Sequence, residues 1–380
     1  MTAYLDNSAT TRPYDEVTEY MNYINRELYA NPSSMHSMGF EAEKIIRRAR
    51  ETILSFLGDS EGRLIFTSGG TEANNLAIFG SVRHTLKRAP EIICGSTEHP
   101  SVSEPFAYLG ENGARAELCR CDSRGRLDIA DFKKKMNEKV SLVSLMLVNN
   151  EVGAIQPVEE VSRIIKVANP RALFHVDAVQ AFGKIPVNVK KAGIDLLSIS
   201  AHKINGPMGA GALYIRRGVS IKPVTLGGHQ EYNLRSGTQN VPAIGGFMRA
   251  VEMISPKLSE NAARMTELKN MLLSSLKKLP YCEINGGGEE YSAPNIVNVS
   301  FDKIRSEVLL HTLERRGVFV SSGSACASNH QSPSPTLTAM GLDKGKIDSA
   351  IRFSLCPTTT AEEIAYAAET VKEAAEELRK

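Results

Sequence analysis

Four short stretches of the chain hold side chains with chemistry to offer, and three of them follow a run of aliphatic residues. Leu64 to Phe66 leads into Thr67-Ser-Gly-Gly-Thr-Glu-Ala73, a turn of small residues that opens a helix. Such a turn points several backbone N–H groups at one spot and suits an anion such as a phosphate. It lacks the Gly-Lys-Ser/Thr ending of a Walker loop, and a Gly-Gly turn before a helix is more often plain connection. Ala172 to Val176 leads into Asp177, with Gln180 three residues on. An aspartate there either caps a helix or holds a protonated ring nitrogen, which makes the ring an electron sink. Leu196 to Ser200 leads into Ser200-Ala-His-Lys203, followed by Gly206, Pro207 and Gly209. Most lysines are solvated surface residues, but one at a strand end in an apolar, glycine-rich setting can lose its proton and form a Schiff base. The fourth stretch, Ser321-Ser-Gly-Ser-Ala-Cys-Ala-Ser328, places Cys326 ahead of a segment rich in Ser, Pro and Asn up to Pro335. A lone cysteine is usually a buried hydrophobe, whereas flexible polar surroundings give a thiolate access to a substrate.

These residues need a scaffold that gathers strand ends. β-branched and aliphatic runs recur at Leu64 to Phe66, Ile92 to Cys94, Val140 to Val148, Ala172 to Val176, Leu196 to Ser200 and Ala212 to Ile215. Helical periodicity fills most of the gaps, as in Val158 to Val167 and the segment beginning at Glu72. The alternation predicts an α/β fold with a mainly parallel sheet flanked by helices. Ligands on such a sheet bind at the carboxyl ends of the strands, where the Gly-rich turn, Asp177 and Lys203 fall. A helical stretch from Ala243 to Leu279 is expected to cross from a large domain to a smaller one. Then come Ile296 to Phe301, a helix near Glu307 to Arg316, Val318 to Val320, Ile351 to Ser354 and a last helix from Ala361, where Thr360 with Glu363 fits a capping box.

Composition narrows the function classes. At 380 residues the chain has room for one large and one smaller domain around a deep site. With 42% hydrophobic residues and a formal net charge of +2 it is an ordinary globular sequence. Nothing in that charge argues for nucleic acid or anionic lipid as a direct partner. No apolar run reaches the roughly 20 residues needed to span a bilayer, and a cytoplasmic protein is expected. Cys94, Cys119, Cys121, Cys282, Cys326 and Cys356 form no CxxC pair and no disulfide framework, so free thiols are expected. Cys119 and Cys121 lack a second ligand pair of the kind zinc needs.

Taken in order, these segments resemble the fold-type I pyridoxal-phosphate enzymes, and within them the class V aminotransferase family's cysteine desulfurases of the NifS/IscS type. The resemblance runs through Tyr4-Leu-Asp-Asn-Ser-Ala-Thr-Thr11, Asn31-Pro-Ser-Ser34 with His36, Thr97-Glu-His99, Val148-Asn-Asn-Glu-Val-Gly153 and His175-Val-Asp-Ala-Val-Gln180. It continues through His202-Lys-Ile-Asn-Gly-Pro207, Arg235-Ser-Gly-Thr238, Ser321 to Cys326 and Ile351-Arg-Phe-Ser354. The resemblance implies a seven-stranded sheet in a large domain, 15–257, and a smaller α+β domain made of 1–14 and 258–380. It implies that Lys203 carries the Schiff base to pyridoxal phosphate, that Asp177 holds the pyridine nitrogen, and that Gln180 and Asn150 lie near the ring hydroxyl. His99 stacks on the ring and moves protons; Gly70, Thr71, Ser200 and His202 hold the phosphate, joined by Thr238 from the second subunit of a homodimer. Arg352, with Asn150, takes the substrate carboxylate, and Cys326 receives the sulfur of L-cysteine as a persulfide, leaving alanine. No resident metal is expected, Cys326 being at most a transient iron–sulfur ligand.

Cys326 and Arg352 stand 26 residues apart, which resembles the long-loop group of the family. A long loop suits delivery to a sulfur-acceptor protein, either an iron–sulfur scaffold or a tRNA-thiolation enzyme. Two features depart from the family pattern. Leu226-Gly-Gly-His-Gln-Glu231 replaces a His-Gly-Gly-Gly-[HQ]-Glu motif, and the C-terminal tail by which some relatives hold the scaffold is expected to be absent after Lys380. The competing expectations are another class V reaction, such as selenocysteine cleavage or transamination, and a sulfur-transfer partner without turnover. Lys203 argues against the last.

Overall fold

The structure is a computed structural model that describes residues 1–88, 90–286, 291–322 and 333–379. Cys326 therefore lies outside the described residues. The chain opens with β1 (Ala3–Tyr4) and then lays down β2 (Arg63–Thr67), β3 (Glu91–Gly95), β4 (Arg115–Cys119), β5 (Val140–Met146), β6 (Leu173–Asp177), β7 (Leu196–Ser200) and β8 (Gly211–Ile215). The last seven form one sheet in the order β2-β8-β7-β6-β5-β3-β4, with β8 antiparallel to both neighbours and the other pairs parallel. The expected mainly parallel sheet is thus present. β4 is the strand that apolar runs did not reveal: at the sheet edge Arg115, Ala116 and Glu117 stay at least partly exposed, so it carries no hydrophobic signature.

Helices cover the sheet by amphipathic burial. The helix Val158–Ala168 shows the rule at its simplest: Val158, Val161, Ser162 and Ile165, spaced for one face, are its buried residues. Glu159 and Glu160 occupy its first turn and Lys166 its last, each sign matched to the helix dipole. The expected continuous helix from Ala243 to Leu279 is instead two, Val241–Ile254 and Leu258–Leu276, joined by a 3₁₀ turn at Ser255–Lys257. Pro256 is the reason, since it lacks an N–H to donate and its ring clashes with the preceding turn.

Beyond that break come β9 (Cys282–Asn285), β10 (Ile296–Phe301), β11 (Val318–Phe319), β12 (Ser321–Ser322) and β13 (Ala350–Ser354). β12, β13, β10 and β9 form an antiparallel sheet in that order, and β1 pairs with β11. This sheet packs its own core, which includes Leu272, Val299, Phe301, Leu313, Phe353 and Val371. Ala3 and Leu5 belong to that core although they begin the chain. The last helix, Ala361–Leu378, starts with the anticipated capping box: Thr360 Oγ1 accepts from Glu363 N at 3.1 Å, and Glu363 accepts from Thr360 N at 2.7 Å. Among the described residues no helix is long and apolar enough to cross a membrane.

One buried polar row crosses the large sheet. His175 on β6 meets Ser144 Oγ on β5 through Nδ1 at 2.8 Å and Ser198 Oγ on β7 through Nε2 at 2.9 Å. Burial pulls this imidazole down to about 3, so it is neutral in the folded protein. In the unfolded chain a histidine titrates near 6.5, so the unfolded state gains the proton first. The stabilisation from neutral His175 is complete above pH 6.5 and falls by about 1.4 kcal/mol per pH unit as pH drops towards 3. His175→Gln is expected to be less stable than the parent at pH 7 yet to lose less stability between pH 7 and pH 5. Chemical denaturation at both values tests this, and parallel losses in the two proteins count against it.

Candidate active site

Parallel strands deliver their carboxyl ends to one edge of the sheet, and the loops that leave this edge line a cavity of ≈ 390 Å³. Gly70 and Thr71 come from the end of β2, His99 from β3, Asn150 from β5, Asp177 and Gln180 from β6, and His202 and Lys203 from β7. Arg352 reaches the same cavity from β13, and Ser321 on β12 stands opposite it in the strand register. Nine residues singled out in the sequence therefore meet at one place. Ser200 adjoins them at the end of β7, whereas Thr238 is exposed and does not line the cavity.

The turn after β2 is shaped for an anion. Gly69 caps the 13-residue helix Gly70–Val82, whose free N–H groups face the turn. A side chain at Gly70 would put its Cβ 2.6 Å from Val179 Cγ2, and one at Gly211 would sit 2.6 Å from the Gly69 backbone. Ser200 Oγ is buried near Gly69 and has no hydrogen-bond partner among the described residues. A buried hydroxyl without a partner is unfavourable unless a ligand supplies one. Ser8 Oγ and Arg352 Nε are buried and unpartnered in the same sense. The donors present thus fit a phosphate-bearing group with a second anionic end.

Asp177 is only 5% exposed. Its Oδ1 accepts from Val179 N at 2.9 Å and its Oδ2 from Asn74 Nδ2 at 2.8 Å. The turn that follows it is not a helix, so the capping alternative falls away. Asn74 also donates to Ser101 Oγ at 2.8 Å, and Ser101 lies within 2.8 Å of His99 Nδ1. Because Ser101 Oγ already accepts from Asn74, its own proton goes to His99 Nδ1, which also receives Ser101 N at 3.1 Å. That leaves Nε2 as the proton-bearing nitrogen of His99. Burial lowers the His99 pKa, Asp177 opposing and Lys203 assisting, and burial likewise pulls His202 down to about 4.

Lys203 Nζ donates to Ser8 O at 2.5 Å and to Ala9 O at 2.6 Å. Arg352, 6% exposed, donates to Asn150 O at 3.0 Å and pairs with Asp6 Oδ1 at 2.8 Å. Asp6, Ser8, Asn74 and Ser101 are site residues that sequence reasoning left without a role. The N-terminal motif pointed to the first two. Asn74 stands in the second turn of the helix behind the anion turn and Ser101 in the first turn of the helix after His99, and only that placement marked them.

The segment that departs from the family motif has a backbone explanation. His229, Glu231, Tyr232 and Asn233 all adopt positive φ, at 66°, 49°, 56° and 65°. His229 stands where the resemblance has a glycine, the residue that takes this conformation without steric penalty. Buried Glu231 holds the strained turn: it accepts two bonds from the Arg50 guanidinium, at 2.6 and 2.8 Å, and one from Phe66 N at 2.8 Å.

Residues 3–366 match the model of the aminotransferase class-V family. A cysteine desulfurase of Nostoc sp. is 41% identical over 380 residues, covering 99% of this chain and 93% of that protein. A solved NifS-like protein superposes with a TM-score of 0.92 at 43% identity, over 98% of this chain and 99% of that one. SspA, solved in complex with cysteine, gives a TM-score of 0.83 at 30% identity, over 94% and 100% of the two chains.

Gly70→Ala should force Val179 against the anion turn. The expected result is binding of pyridoxal phosphate weakened about tenfold, the scale of one charge-assisted hydrogen bond, with little change in thermal midpoint. Titrating the apoprotein by absorbance reads it, and unaltered binding would remove the turn from the phosphate site.

Proposed function

The chain belongs to the cysteine desulfurases of the aminotransferase class-V family, and on that premise we propose how its own residues divide the work. The observation that carries the reading is Asp177 and Lys203 lining one cavity with Gly70 and Thr71 of the turn after β2. Family members depend on pyridoxal phosphate. Here Lys203 would hold its aldehyde carbon, Asp177 its ring nitrogen, Gln180 and Asn150 its hydroxyl, and Gly70, Thr71, Ser200 and His202 its phosphate. Once bound it supplies an electron sink for bonds at the substrate α-carbon.

Arg352 binds the carboxylate of L-cysteine, using the fork that now spans Asp6 and the Asn150 carbonyl, and Nε is its unused donor. Lys203 takes the α-proton. His99 suits that step less well, because its Nδ1 lone pair is engaged by Ser101 and Nε2 carries the proton; it serves as donor instead. The Cys326 thiolate then attacks the substrate sulfur. A sulfur–sulfur bond forms, the carbon–sulfur bond breaks, and its electron pair remains with the three-carbon skeleton, which takes up protons and leaves as alanine. Ser321, five positions before Cys326, lines the cavity wall, which supports assigning this cysteine to the site.

A homodimer is proposed on two grounds. Tyr29, Met35, Phe40, Leu226 and Tyr232 are exposed apolar residues, and a groove lined by Pro32, Ser33, Gly228, His229 and Tyr232 joins their two segments. Thr238, exposed in that neighbourhood, is proposed to complete the phosphate site of a second copy, and its absence from its own chain's cavity supports this. The division at 257/258 is supported by Leu268 and Leu272 of the helix Leu258–Leu276 packing in the second core, and the place of 1–14 in the smaller domain by Ala3 and Leu5 packing there. The sulfur acceptor is proposed to be a scaffold or tRNA-thiolation protein, and the free described cysteines suit a reducing cytoplasm.

Cys326→Ser is expected to abolish alanine and sulfide release from L-cysteine under reductant while the cofactor absorbance stays intact. Equal release by both proteins would sink the persulfide step. For Arg352→Lys, which keeps the charge and loses the bidentate fork, KM for L-cysteine should rise about tenfold. An unchanged KM would take the carboxylate away from Arg352.

A further inference from the structure

Lys184 is a buried cation that the proposed chemistry does not use. It lies in Ala181-Phe-Gly-Lys184, just past the turn after β6, and is 3% exposed. Its Nζ donates to Gln180 Oε1 at 2.9 Å. The same amide, through Nε2, donates to Ser8 O at 2.9 Å, and Ser8 O also receives Lys203 Nζ. A continuous line of hydrogen bonds therefore runs from Lys184 through Gln180 and the Ser8 carbonyl to Lys203.

We propose that Lys184 is a positioning residue for the cofactor site, one whose ammonium sets which end of the Gln180 amide faces the cavity. An ammonium has three donors and no acceptor, so it can meet only the oxygen of an amide. With Oε1 claimed by Lys184, the N–H₂ end must turn towards Ser8 and the cavity, where an anionic ring oxygen needs a donor. Were Lys184 apolar, the Ser8 carbonyl alone would hold the amide by its N–H₂ end, and the buried Oε1 would lose the donor that opposes a flip presenting oxygen to oxygen. The electrostatic surroundings agree with this role. Burial first, then Lys203 and Arg352, pull Lys184 down to about 7, while Cys356 acts in the opposite sense. The bond to Gln180 Oε1 opposes that shift, because it favours the protonated form that can only donate.

The inference rests on the pyridoxal-phosphate reading, and the test separates the two. The dissociation constant of pyridoxal phosphate is measured by absorbance on apoprotein of the parent, Lys184→Met, Lys184→Gln, Gln180→Ala and Lys184→Met/Gln180→Ala, with thermal unfolding of each as a check on folding. No binding by the parent would defeat the cofactor reading itself. Given binding by the parent, Lys184→Met and Gln180→Ala should each weaken it about tenfold. The double variant should be no weaker than Gln180→Ala, because Lys184 acts through that amide. Lys184→Gln, which can still donate to Oε1, should bind within about threefold of the parent. Losses that multiply in the double variant, or Lys184→Met binding as the parent does, would overturn the proposal. If Lys184→Met fails to fold, a tenfold loss in folded Lys184→Gln overturns it equally.

Discussion

Three cations, Lys203, Lys184 and Arg352, are gathered in or beside one small cavity, and the rest of the structure is arranged around keeping them there. An ammonium or guanidinium taken out of water must be repaid in hydrogen bonds and opposite charge, or it loses its proton or drives the site open. Among the described residues only Asp177 and Asp6 line the cavity as acids, so carbonyl oxygens do much of the compensation. Ser8 O and Ala9 O each point a lone pair at half-buried Lys203, and Asn150 O at buried Arg352. Loop backbone is suited to this because its carbonyls are not consumed by a helix or sheet ladder.

That demand explains why the first residues of the chain matter so much. Leu5 is buried in the second core, Asn7 and Ser8 bond to Ser354 beside Arg352, and Thr11 bonds to the His202 carbonyl at 2.9 Å through N and 2.8 Å through Oγ1. One extended segment thereby links the end of β13 to the loop after β7 and aims Ser8 O and Ala9 O at Lys203. It acts beside the segment after β5, where Val152 and Ala154 pack with Ala350 of β13 and the Asn150 carbonyl receives Arg352.

A second device, on the other side of the large sheet's first strand, holds strained backbone. Glu231 is buried under the Arg50 guanidinium, which stacks between Phe66 and Tyr232 at 5.0 Å from each ring centroid. Charge, hydrogen bonds and stacking together keep a run of left-handed residues that would relax elsewhere. The turn thus held leaves Thr238 and Tyr232 on the surface rather than in the cavity of their own chain.

Much of this was legible in residue types alone. The β-branched runs located most of the large sheet, because a strand buried on both faces must be apolar throughout, and polar residues at their carboxyl ends marked the ligand edge. Thr360 with Glu363 announced a helix start because a capping box is local. What residue types could not show depends on partners distant in sequence. β4 is an edge strand with polar side chains and is recognisable only by pairing with β3. Asn74 becomes a cavity residue through Asp177, 103 positions away, and the Gln180 amide lies between Lys184 on its own segment and Ser8, 172 positions away. Lys184 reads as an ordinary surface lysine until the fold closes over it. The sequence by itself determined the fold class and the ligand edge, since these follow from periodicity and side-chain type, while His99, Asn150 and Arg352 were singled out only through the family resemblance. Tertiary structure alone decided which donors are left unsatisfied and which way each amide and imidazole faces, because hydrogen-bond direction is set by neighbours that only folding brings together.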